Sequence, residues 1–241
     1  GPEFTNSNIE SFLNKNKFSF QALMDEELPE KIADLIANEK VIGWFQGRME
    51  FGPRALGSRT IIGDARSSEM QKTMNLKIKY RESFRPFAPS VRAENISDYF
   101  DIDRESPYML FVANVQKDKQ VAMSEEQNSY FGLEKLNVVR SQIPAITHVD
   151  YSARIQSVNG KTNSRYHEML TKFNNKYGCP VIVNTSFNVR GEPIVCTPKD
   201  AYLCFMRTEM DCLIMGNYLL DKTEQKPLVG DSDWQSEFEL D

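Results

Sequence analysis

The chain has 241 residues, of which 40% are hydrophobic and 26% charged, and its net charge is −5 at pH 7. That apolar content supports the core of one large α/β domain, and the acidic balance argues against a broad, non-specific nucleic-acid-binding face. Two histidines and four cysteines without a C-x-x-C pair argue against zinc, no apolar run reaches the ~18–20 residues of a membrane span, and scattered cysteines predict buried thiols in a reducing compartment, by default the cytoplasm.

Residues 1–4, GPEF, read as a cloning scar. Residues 5–28 are polar and Asn/Ser/Lys-rich at first and read as a linker from a preceding region; with no initial Met, the expectation is a fragment of a longer protein. Pro29 suits a first helical position, and Ile32, Leu35 and Ile36 give a short helix one apolar face. Residues 41–45 form a compact apolar run that predicts a buried strand. A turn at Gly52-Pro53 precedes a second strand over 59–64, and Ser67 or Ser68 can cap a helix to about residue 77. Pro86 and Pro89 make 84–91 an irregular or edge strand. A strand follows over 108–115, and 116–143 is a polar surface excursion.

Residues 145–149 and 153–158 read as short strands around a turn at 150–152. The strongest helix spans 164–177, where Tyr166, Met169, Leu170, Phe173 and Tyr177 share one face, Asn163 or Ser164 caps the start and Gly178 the end. A buried strand over 180–184, a capped helix from Thr197 to about Arg207, a last strand over 212–220 and an acidic tail over 221–241 complete the chain. The sum is a mixed α/β sheet with one layer of helices.

Six cations, Arg54, Arg59, Lys77, Lys79, Arg81 and Arg85, cluster within this acidic chain. Arg54 sits in a turn between Gly52 and Gly57, where backbone can approach a ligand closely. Arg85 lies between Phe84 and Pro86, a setting that is costly for an unpaired guanidinium. The planar fork of arginine suits phosphate. No Gly-Lys-Ser/Thr follows the 52–57 turn and no GxGxxG occurs, so side chains rather than a glycine loop would hold such phosphates.

Asn184 and Ser186 follow the apolar run 181–183, and ligands of open α/β sheets collect beyond strand ends. A plain polar turn fits that segment as well. Arg190 adds a cation beside Gly191. His148, Asp150, Ser152, Arg154 and Gln156 alternate, which suits either a wet cleft wall or an exposed sheet face.

Five stretches, FGPRALGSRTIIGDAR (51–66), FRPFAPSV (84–91), HVDYSARIQ (148–156), PVIVNTSFNVRGEPIV (180–195) and TPKDAYLCFMRTEMDCLIMG (197–216), together resemble the C-terminal domain of the carbamoyltransferases, which include nodulation-factor and hydroxymethylcephem O-carbamoyltransferases. The resemblance implies a YrdC-like fold over 29–220: a twisted open mixed sheet with helices packed on it and a concave basic face. It implies a domain that forms carbamoyl-adenylate from carbamoyl phosphate and ATP, with Mg²⁺ carried on the ATP phosphates and no metal ligands of its own. An N-terminal actin/Hsp70-like metal-binding domain would then pass the carbamoyl group to an acceptor hydroxyl. On the family pattern Lys79, Arg85 and Arg154 are the catalytic residues, and Arg54, Asn184, Ser186 and Arg190 join them in binding substrate and nucleotide, with His148 and Asp150 beside the set. The alternatives are an RNA-binding module of YrdC-like shape and a non-catalytic support domain.

Overall fold

Nine short segments, several of them apolar throughout, pair into one open, twisted mixed sheet in the computed structural model, which describes residues 1–228. Among the described residues the strands are β1 (Gln21–Ala22), β2 (Ile42–Phe45), β3 (Arg59–Asp64), β4 (Ala88–Arg92), β5 (Phe111–Asn114), β6 (Ser152–Val158), β7 (Val181–Ser186), β8 (Cys212–Met215) and β9 (Tyr218–Asp221), in the order β1-β9-β8-β2-β3-β7-β4-β6-β5. β2 with β8 and β4 with β6 are parallel; the other pairs are antiparallel. The central strands β2, β3 and β8 are buried at every residue, and β2 and β8 accordingly read as apolar runs rather than as alternation, while β3 buries Arg59, Thr60 and Asp64 as well.

The helices are α1 (Asn6–Asn16), α2 (Leu28–Ala37), α3 (Met70–Lys77), α4 (Ile96–Tyr99), α5 (Glu125–Ser129), α6 (Leu133–Leu136), α7 (Ser164–Tyr177) and α8 (Pro198–Arg207). α7 matches its sequence pattern: Tyr166, Met169, Leu170 and Phe173 are buried, the Asn163 side chain accepts from the Tyr166 N–H, and Gly178 closes the helix at φ 70°. Each such fully buried side chain contributes about 1.5–3 kcal/mol. Helices cover both faces rather than one. Tyr166 of α7 donates to Ser90 Oγ, and Ser90 pairs with Ile182, on the Asn184 side of the sheet. A Cβ built on Gly63 would meet Met70 Sδ of α3 at 2.7 Å, and Gly63 points to the opposite face.

Several expectations are corrected. Residues 5–28 are not a linker: Thr5 and Asn8 form a capping box for α1, which buries Ile9 and Leu13, and Phe18 stacks on Tyr202 of α8 with ring centroids 3.6 Å apart. The Asn- and Ser-rich composition masked a two-residue apolar stripe. Neither Ser67 nor Ser68 caps α3, whose N-cap is Glu69 without a side-chain bond. β4 is interior, not an edge: Pro89 faces Val183 of β7, while pairing with β6 starts one residue later, at Ser90. Pro144–Ile146 is a 3-10 turn rather than a strand, because Pro144 starts it. The run 212–220 splits at Gly216 (φ 55°) and Asn217 into the β8–β9 hairpin. Of the expected tail, residues 221–228 are described: Lys222–Glu224 forms a 3-10 turn, and Gln225 donates to Ser19 O and Asp221 O. Residues 229–241 lie outside the described residues.

Candidate active site

The register of three strands sets the site. Asn184 faces Ala88, Ile182 faces Ser90, and Ser90 faces Gln156. Alternation therefore places Ser186 and Asn184 of β7, Ala88 and Ser90 of β4, and Arg154 and Gln156 of β6 on one face. The inner part of that face is a buried polar network. Tyr166 donates to Ser90 (3.0 Å), Ser90 to Gln156 Oε1 (2.6 Å), and Asn184 Nδ2 to the same oxygen (2.7 Å) and to Ala55 O (2.9 Å). Gln156 Nε2 reaches Leu56 O at 2.8 Å. Asn184, 1% exposed, thus anchors the 52–57 turn over the strands.

The same turn is gripped from its other side. Glu50 accepts the backbone N–H groups of Leu56 (2.7 Å), Ser58 (2.8 Å) and Arg59 (3.2 Å). Gly57 has φ 103°, and a Cβ there would meet the Tyr166 ring at 2.5 Å, so only glycine lets the turn lie this close to α7. Arg54 is held out at the exposed tip of this fixed turn.

Beyond the network the strand ends carry cations on both faces. On the α7 side, Arg154 is half-buried and its Nε meets no acceptor. Burial lowers the Arg154 pKa, and the neighbouring Arg54 lowers it further, with no acid opposing them. Burial also lowers the His148 pKa; Asp150 opposes this and Arg154 adds to it. Asp150 is held low chiefly by the Ser152 hydroxyl, which donates to it at 2.7 Å.

On the α3 side, Lys79 is 4% exposed and its ammonium reaches Ser186 O (2.5 Å), Asn188 Oδ1 (2.7 Å), Asn188 O (2.8 Å) and Ser186 Oγ (3.4 Å). Burial pulls its pKa down to about 7, Arg81 adds to this, and Cys204 and Glu192 oppose it. The four surrounding oxygens accept from the amine and work against this shift. Arg81 stacks over Phe87 at 4.9 Å and donates to Asn75 Oδ1 at 2.6 Å. Burial lowers its pKa to about 10, with Arg85 and Arg190 also lowering it and Glu82 opposing. Arg85 is exposed and pairs with Glu82 at 2.9 Å.

Comparison with known proteins supplies the family. The family model described as carbamoyltransferase C-terminus matches residues 33–222. The chain belongs to the carbamoyltransferase C-terminal family. An uncharacterised Synechocystis sp. protein is 59% identical over 100% of this chain, the nodulation protein NolO of Bradyrhizobium diazoefficiens 38% over 92%, and a 3'-hydroxymethylcephem-O-carbamoyltransferase of Streptomyces clavuligerus 32% over 77%. The chain spans 40%, 38% and 31% of those three proteins. Among solved structures, Sua5 of P. abyssi complexed with L-threonine aligns at TM-score 0.53 and 11% identity, over 82% of this chain and 48% of that one. Full-length HypF in its phosphate- and nucleotide-bound form aligns at TM-score 0.50 and 16% identity, over 82% and 26%. The fold is therefore the YrdC-like one of these neighbours.

Of the residues expected at the site, Arg54 neighbours Arg154, Lys79 binds Ser186, and Arg85, in the loop before β4, pairs with Glu82. Arg190 lies in the loop after β7 and adds to the positive surroundings of Arg81. Asn184 lies deeper, its amide nitrogen committed to the turn and to Gln156. Sequence reasoning placed Arg81 in the cation cluster and Gln156 in the alternating stretch without giving either a site role, and it gave none to Asn188 or Glu50. The available signal was spacing: Arg81 stands two residues after Lys79, and Asn188 two after Ser186, so each pair can share a face in extended chain.

Proposed function

We propose that this domain forms the carbamoyl-adenylate for an O-carbamoyltransferase, binding ATP and carbamoyl phosphate at the cation-bearing strand ends. The observation that carries this reading is Arg154: half-buried, its Nε without an acceptor, and with Arg54 rather than an acid as its charged neighbour. Such a pair is stabilised by an external anion, and two phosphate-bearing substrates supply several. Arg54 and Arg154 hold one phosphate group. Arg81, Arg85 and Arg190 neutralise charge on the other substrate, so that one anion can approach another. Lys79 positions Ser186 and Asn188 at the strand end. Asn184 lines the nucleotide side through its anchoring of the 52–57 turn, and His148 and Asp150 flank Arg154. Mg²⁺ arrives on the ATP phosphates as part of the substrate.

Water cleaves carbamoyl phosphate to carbamate and inorganic phosphate, and a carbamate oxygen then attacks the α-phosphate of ATP, forming carbamoyl-adenylate and expelling pyrophosphate. An N-terminal actin/Hsp70-like domain of the longer protein, with its own metal, then passes the carbamoyl group to an acceptor hydroxyl. Four free thiols, three of them buried, suit a cytoplasmic setting, and no helix among the described residues is long and apolar enough to cross a membrane. ATP–pyrophosphate exchange tests the reading. Exchange is expected only with carbamoyl phosphate present, and Arg154→Ala should slow it by about tenfold or more. Exchange without carbamoyl phosphate, or at an unchanged rate in the variant, contradicts it.

A further inference from the structure

Two buried or half-buried arginines on different elements share an unusual condition. Arg59 lies near Glu50, and Arg92 pairs with Glu94 at 3.7 Å. Arg154 has no acid beside it and belongs to the strand-end face. Arg140 is the second: 5% exposed, with no ion pair among the described residues. Its two terminal nitrogens find only the backbone carbonyls of Leu136 and Lys135, and its Nε finds no acceptor. Burial lowers its pKa, opposed only by Tyr151. Burying a guanidinium against carbonyl dipoles alone is costly, and a buried donor without a partner calls for a missing one.

Arg140 lines a cavity of about 360 Å³ between α3, the loop before β4 and the excursion that precedes β6. Lys72, exposed on α3, adds a second cation, and Ser68, Gln71 and Asn137 add neutral polar groups. Glu69, exposed, is the one acid of the lining. None of Arg54, Arg81, Arg85, Arg154 or Arg190 is in the walls. The arginine's backbone is fixed: Val121 N–H donates to Arg140 O at 2.6 Å, and the buried Ser141 hydroxyl binds Thr147 at 2.7 Å and the Ile143 N–H at 3.0 Å.

We propose that Arg140 and Lys72 form a second anion site, separate from the strand-end face, which takes a phosphate group. The excursion over 116–143 then has a role, since it delivers Arg140. The site backs onto the arginine loop: Ser83 and Phe84 line the cavity, and Gln71 donates to Phe84 O (3.1 Å) and Arg85 O (3.2 Å). An anion drawn toward Lys72 therefore acts on the helix that holds Arg85 in place.

The test is an NMR titration of the whole chain with inorganic phosphate, and separately with AMP, read at backbone amides. Saturable shifts are expected at residues 68, 72, 137 and 147, weakened by about tenfold in Lys72→Ala while shifts around 54 and 154 keep their midpoint. Arg140→Met should abolish the cavity shifts; should that variant fail to fold, Lys72→Ala still decides. Saturation by inorganic phosphate identifies a free anion, and saturation by AMP alone identifies a nucleotide phosphate; either supports the site. Shifts confined to residues around 54, 85 and 154, or an unchanged midpoint in Lys72→Ala, overturn it. Because the readout is local, it stands or falls independently of carbamoyl-adenylate formation.

Discussion

The end of β7 and the Arg54–Arg154 face hold cations in opposite circumstances. Lys79 is buried with four oxygens around its ammonium, so it ties the 186–192 loop to the segment after α3. Arg154 has a lone Nε and a like-charged neighbour in Arg54. A cation with its acceptors built in is a strut; a cation set beside another without acid is a receptor. Sequence alone gives both the same appearance, a basic residue in apolar surroundings.

The largest effect that can break this contrast is at the strut. Lys79→Met should lower stability by about 1–3 kcal/mol in urea unfolding, because buried oxygens lose their shared donor. The folded-state pKa of about 7 lies below the unfolded 10.5, so between those values the unfolded chain holds the extra proton. Stability attributable to Lys79 therefore rises as pH increases through that window, and the variant should show a flatter curve there. A wild-type stability no different from the variant's would make Lys79 a receptor after all.

A smaller effect is expected at the mount of the receptor. Glu50→Gln should cost about 1–2 kcal/mol, since three backbone N–H groups lose a charged acceptor. It should also loosen the turn that presents Arg54, readable as faster amide exchange at 56, 58 and 59. Unchanged exchange there would separate Arg54 from the Glu50 clamp.

Legibility in the sequence followed the same division. α7, α8 and the central strands were readable because burial imposes period and caps locally: Asn163 and Gly178 bracket one helix, and Thr197 with Asp200 opens the other. α1 was not, because two buried residues, Ile9 and Leu13, were outweighed by polar composition. The interior place of β4 depends on which strands flank Pro89, a long-range fact. In the site, the cations were visible by type. Their roles were not, since Lys79 meets Ser186 and Asn188 across more than a hundred residues of chain. Glu50 acts through backbone N–H groups of the 56–59 segment, which leaves no side-chain pattern to read, and Gln156 meets Ser90, Asn184 and Leu56 only across long stretches of chain.

Calorimetric titration with ATP of the wild-type chain and of a variant carrying Arg54→Ala and Arg154→Ala, with urea midpoints measured in parallel, tests the receptor most directly. The expected result is one saturable site in the wild type, weakened by about a hundredfold in the variant, with stability changed by no more than about 0.5 kcal/mol. Equal affinity in the two proteins, or a variant that loses binding only because it loses stability, would contradict the assignment of this face to substrate phosphates.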